Sequence, residues 1–117
     1  MQSPSTSVTQ LPVGRVFRGG FVVGGYLTVQ PNGLVFAPTR MEHRLTRART
    51  IELPFAEDMT IEVVPPSARG GPAAWFRRRL RVTCDGRPTD FRMNGFDWGA
   101  AVVTDAFSQW SASREDG

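Results

Sequence analysis

The sequence predicts an α+β domain, seven short strands followed by one C-terminal helix. Three observations lead there. From Val16 to Met93 the apolar residues come in short runs, several alternating with polar ones, and Gly, Pro and Asn break the runs. After Asn94 the period changes to helical and stays so to Trp110. The chain has 117 residues, 40 % of them hydrophobic and 21 % charged, enough for one folded domain with one core.

Met1 to about Val13 is rich in Ser, Thr, Gln and Pro and reads as a flexible tail. The first strand is expected over Val16–Val23, with Gly19-Gly20 inside it as a bulge or close approach. Gly24-Gly25 then turns the chain into Tyr26–Gln30, where Leu27 and Val29 alternate with polar neighbours. Pro31-Asn32-Gly33 is the strongest turn signal, since Asn-Gly accepts the positive φ of a tight hairpin. Leu34–Ala37 returns as its partner and stops at Pro38.

Thr39 to about Arg47 reads as a polar, Arg-rich loop. Thr50–Leu53 is the next strand, ended by Pro54. Met59–Val64 follows, with Met59, Ile61 and Val63 on one face, and Pro65-Pro66 closes it. Ser67–Ala74 is a loop. Leu80–Thr83 turns at Asp85-Gly86 into Thr89–Met93. Trp98, Val102 and Ala106, with Val103, Phe107 and Trp110, then make one broad apolar helical stripe, and Asn94 or Asp97 can cap its start. Core packing accounts for Trp98, Phe107 and Trp110. The expected organisation is tail 1–13, domain 14–110 and tail 111–117.

The composition excludes several functions. No apolar run approaches the roughly 20 residues of a membrane-spanning helix. The N-terminus lacks the charge and apolar core of a signal peptide, and a lone Cys84 cannot form an internal disulfide, so a cytoplasmic chain is expected. One His and one Cys with scattered carboxylates make no metal site, and the Gly pairs lack the Lys and Ser or Thr of a phosphate loop. Glu57 and Asp58 are neighbours and point apart on extended backbone. No nucleophile elbow is present. The reading is of a protein without cofactors and without catalytic residues.

All fourteen basic residues are Arg, and the net charge is +3. A GC-rich coding sequence also produces an all-Arg set, so the choice of Arg carries no weight by itself; the charge mildly favours anionic partners. Two clusters are candidate sites. In Trp75, Phe76, Arg77, Arg78, Arg79 and Arg81 the aromatics can enter a membrane interface while the guanidiniums meet anionic lipid. The same run can instead contact a protein or, least favoured, stack on nucleic-acid bases. It is also compatible with a plain strand that buries Phe76, Leu80 and Val82. The second cluster is Arg40, His43, Arg44, Arg47 and Arg49, an anion-binding surface with a titratable His or simply a solvated loop.

The segment Gly25–Phe36 resembles the hairpin of GRAM and related pleckstrin-homology-like domains, in which Gly-x-Leu leads through an Asn-containing turn into Leu-x-Phe. Ile51–Met59 is similar to the same family's stretch with a displaced proline. Leu80–Gly86, followed by Phe91 and Trp98, resembles its final hairpin and helix start. The resemblance covers about Val16 to Trp110. It implies a seven-stranded, bent, partly open barrel capped by the C-terminal helix. This fold hosts lipid binders, peptide binders and oligomerisation modules alike. The first inter-strand loop, read as Gly24-Gly25, has no basic cluster for a phosphoinositide. The expectation is therefore a non-enzymatic module that binds a protein partner or itself, the alternative being peripheral contact with anionic lipids.

Overall fold

A computed structural model describes residues 8–17, 21–66 and 78–116. Seven antiparallel strands form one sheet: β1 (Thr9–Val16), β2 (Val22–Gln30), β3 (Gly33–Pro38), β4 (Ile51–Pro54), β5 (Thr60–Val64), β6 (Arg79–Cys84) and β7 (Arg87–Arg92). Among the described residues two helices accompany them, α1 (Arg40–Thr46) and α2 (Phe96–Asp116). The strand order is β4-β3-β2-β1-β7-β6-β5, so β1 joins two meanders and β4 and β5 are the edges of a sheet that does not close.

Alternation sets which face is buried. Leu11, Val13, Val23, Leu27, Val29, Leu34, Phe36, Leu80, Val82 and Phe91 point inward, and α2 covers them with Val103. Phe36 and Phe91 meet near the centre, ring centroids 5.7 Å apart. Phe55, just after β4, packs against Phe107 and Trp110 at 5.4 and 5.9 Å and so ties α2 to the edge. Gly99 lies in the first turn of α2 because a Cβ there would stand 2.2 Å from Met93 Sδ.

Several expectations change. The expected N-terminal tail contributes strand β1 from Thr9, with Leu11 and Val13 in the core. Its Pro12 and Gly14 disguise the strand. β7 pairs with β1 only from Gly14 onward, so Pro12 has an edge flank, where a missing N–H is tolerated. Gly24-Gly25 is not the first turn: β1 ends at Val16 and β2 begins at Val22, and the Phe17 amide donates to the Phe21 carbonyl at 2.7 Å. Both glycines lie inside β2, paired with Gly14 and Val13. At Gly25 a Cβ would stand 2.3 Å from the Ala37 carbonyl oxygen, so glycine there serves a close approach of strands rather than a turn.

The next hairpin turns on Pro31-Asn32, with Gln30 opposite Gly33. Gly33 has ordinary φ and a Cβ would meet Pro54 Cα at 2.9 Å. Asp85-Gly86 turns as expected, with φ of 53° and 76° at the two residues. The Thr39–Arg47 loop is helix α1. The expected C-terminal tail continues α2 to Asp116. Trp98 is 61 % exposed rather than core, while Phe107 and Trp110 do pack. Among the described residues no helix is long and apolar enough to cross a membrane.

Candidate functional site

The first Arg cluster is largely tied up internally. Arg79 and Arg81 sit on the outer face of β6, and Arg81 stands opposite Asp90 on β7. Asp90 is nearly buried and receives Arg81 as a fork, Nε to Oδ1 at 2.8 Å and Nη2 to Oδ2 at 3.0 Å. Arg79 Nη1 reaches the same Oδ2 at 2.8 Å. This hydrogen-bonded carboxylate, and its charge beside that of Glu62, raise the Arg81 pKa despite desolvation. Arg79 Nε is buried without a hydrogen-bond partner. Arg78 pairs with Asp97 at 2.9 Å and lies over the Phe96 ring at 4.6 Å, clasping the start of α2. Trp75, Phe76 and Arg77 lie outside the described residues. Arg78, Arg79 and Arg81 are thus each ion-paired within the chain, Arg79 in a nearly buried place and Arg78 at an exposed one.

The second cluster behaves differently. Thr39 caps α1, its Oγ1 accepting from the Glu42 amide at 3.2 Å. At the other end Arg47 takes φ 57° and its amide donates to the His43 carbonyl at 2.9 Å. The Thr46 hydroxyl donates to the Glu42 carbonyl at 2.6 Å and accepts from Ala48 N–H at 3.2 Å. His43 Nδ1 donates to the Ala48 carbonyl at 2.8 Å. A seven-residue helix is marginal alone, so these caps fix it. The Thr39 amide donates to the Gly24 carbonyl at 3.1 Å and anchors it to the sheet.

No α1 residue is buried. Met41 is 71 % and Leu45 75 % exposed, one turn apart on one side. Arg40, His43, Arg44, Arg47 and Arg49 are all exposed around them. Residues 40–49 hold four Arg against one Glu, a charge of +3. That equals the net charge of the whole chain, because the other ten Arg match the other ten acidic residues. The second cluster therefore lies exposed on α1 and in the residues just after it, with Met41 and Leu45 exposed on the same helix.

Sequence reasoning missed Met41 and Leu45, and the signal was present. Thr39-Arg40-Met41-Glu42 has the Thr-x-x-Glu spacing of a capping box, which marks a helix start and places Met41 and Leu45 on one side. Cys84 is half-buried, and its thiol pKa is raised by desolvation and by the charges of Asp85 and Asp58, which disfavours the nucleophilic thiolate. Among the described residues no group of three or more His, Cys, Asp or Glu is placed to hold a metal ion. Neither models of known protein families nor curated proteins match this chain.

Proposed function

We propose that this chain is a non-enzymatic binding module of pleckstrin-homology-like build whose partner is an anionic membrane surface, met by the tip of α1. Strand order and the C-terminal helix over one sheet face support the fold reading. One observation carries the function: residues 40–49 hold a charge equal to the chain's net charge, and they include Met41 and Leu45, the most exposed large apolar side chains among the described residues. Exposed apolar side chains with exposed guanidiniums on and just after the same short helix suit a soft planar partner better than a shaped protein pocket.

Each Arg near an anionic leaflet contributes about 1 kcal/mol, so Arg40, Arg44, Arg47 and Arg49 together supply roughly 3–4 kcal/mol. Partial burial of Met41 and Leu45 adds on the order of 1 kcal/mol each. The sum describes a reversible contact rather than an anchor. Binding to a protein or to itself, the first expectation from the sequence, becomes the second reading, favoured by the two open strand edges β4 and β5. The test is fluorescence titration with vesicles of anionic and of purely zwitterionic lipid, at low and physiological salt. Salt-sensitive binding to anionic vesicles alone supports the membrane reading. Absence of vesicle binding, together with a concentration-dependent dimer in light scattering, replaces it with the second.

A further inference from the structure

The outer face of the sheet carries an open groove of about 580 Å³, within the size range of small-ligand sites. Its floor is a cross-strand row: Arg92 on β7 stands opposite Gly14 on β1, which stands opposite Gly24 on β2. Glu42 of α1 closes the far side. The Arg92 Nε lies 3.9 Å from where a Gly14 Cβ would be, and Glu42 Oε1 lies 4.0 Å from where a Gly24 Cβ would be. A carboxylate and a guanidinium thus stand at opposite sides of a floor that is covered by Val22 at Gly14 and open at Gly24.

They do not satisfy one another. Among the described residues neither the Glu42 carboxylate nor the Arg92 guanidinium makes a hydrogen bond or ion pair. A capping box would normally turn Glu42 back to the Thr39 amide, but that amide is taken by the Gly24 carbonyl. Tyr26, two residues from Gly24 on the same face and half exposed, lines the groove beside them.

Gly24 is the informative residue. Packing accounts for Gly14, whose Cβ would meet Val22 Cγ1 at 2.6 Å. Gly24 has ordinary φ, and a Cβ there meets nothing closer than 4.0 Å. A glycine inside a strand costs stability relative to other residues, and the fold here does not require one. What the missing side chain provides is open space at Gly24, beside the Glu42 carboxylate.

We infer that this groove binds a short zwitterion, an ammonium and a phosphate or carboxylate a few bonds apart. The ammonium meets Glu42 and the face of Tyr26, and the anion meets the Arg92 fork. The inference stands apart from the α1 membrane contact, since a soluble ligand suffices. It is tested by following the backbone amides of Gly14, Gly24 and Gly25 by NMR during titration with phosphoethanolamine and with β-alanine. Ethylammonium and inorganic phosphate serve as single-charge controls. Vesicles containing phosphatidylethanolamine form the lipid arm.

The expected result is saturable shifts at these glycines with a zwitterion and much weaker ones with either control. Glu42→Gln and Arg92→Gln each weaken binding about tenfold, the loss of one charged hydrogen-bonding group. Gly24→Val fills the floor and abolishes binding with the fold intact. Glu42→Gln also strengthens α1 binding to anionic vesicles by removing a negative charge, so the two proposals respond with opposite signs. Shifts confined to the vesicle arm assign the site to lipid headgroups, and shifts with soluble zwitterions assign it to free ligands. Phosphate alone acting as strongly as phosphoethanolamine, unchanged binding in Gly24→Val, or unfolding of that variant overturns the inference.

Discussion

Replacing Asp90 by Asn asks whether the arginines of β6 belong to the fold or to a surface. The substitution keeps shape and removes the one carboxylate that both Arg79 and Arg81 engage. The Arg79 side chain is only 11 % exposed, so its charge would be left close to unpaired in a poorly solvated place. Removing one partner of a buried pair costs about 3–5 kcal/mol. Arg81 is a third exposed, and water offsets much of its loss. The expected destabilisation is therefore about 3 kcal/mol, which lowers Tm by more than about 10 °C for a domain this size. Urea unfolding followed by tryptophan fluorescence measures it. Glu57→Gln, which breaks the exposed Arg114–Glu57 pair, is the control and costs under about 1 kcal/mol. If Asp90→Asn costs no more than the control, Arg79 and Arg81 are solvated and free to meet an anion. The first Arg cluster would then return as a candidate site.

Other outcomes follow from the packing. Gly25→Ala drives a methyl into the Ala37 carbonyl and Pro38, and lowers stability by about 2 kcal/mol or more in urea titration, while Gly24→Ala next to it is tolerated. Phe91→Ala empties the centre of the core against Phe36 and costs about 3–5 kcal/mol by the same method. The Cys84 thiol pKa is raised in the folded chain, so above the ordinary thiol range near about 8.5 the unfolded chain loses its proton first. Folding stability then falls as pH rises through that window, and Cys84→Ser flattens the fall. Iodoacetamide labelling of the native chain has its pH midpoint above that of a cysteine peptide.

The sequence made the last five strands and most of the helical stripe legible, because turn residues bound those strands and Asp85-Gly86 allows one reading, although Val63 and Trp98, expected on the apolar faces, are exposed. It misled at the N-terminus. A Pro and a Gly hid β1, and Gly24-Gly25 looked like a turn where one glycine admits the neighbouring strand and the other leaves a groove open. Only the β-strand register reveals such a role, since a close approach lies between residues distant in the chain. The site was legible in part. The second basic cluster was visible, but its helical shape was signalled by Thr39 and Glu42 and went unread. The first cluster looked exposed because Asp90, nine to eleven residues further along, is brought beside it only by pairing of β6 with β7.

The most direct test of the membrane reading compares three proteins by co-sedimentation with anionic vesicles at low and physiological salt. These are the unaltered chain, an Arg40→Glu/Arg44→Glu variant, and an Arg77→Glu/Arg78→Glu variant. Arg40 and Arg44 are exposed and bear on no core contact, so the first variant remains folded. The account predicts that the unaltered chain and the 77/78 variant pellet at low salt and that the 40/44 variant stays in the supernatant. Pelleting lost in the 77/78 variant and kept in the 40/44 variant, or no pelleting of the unaltered chain, would contradict it.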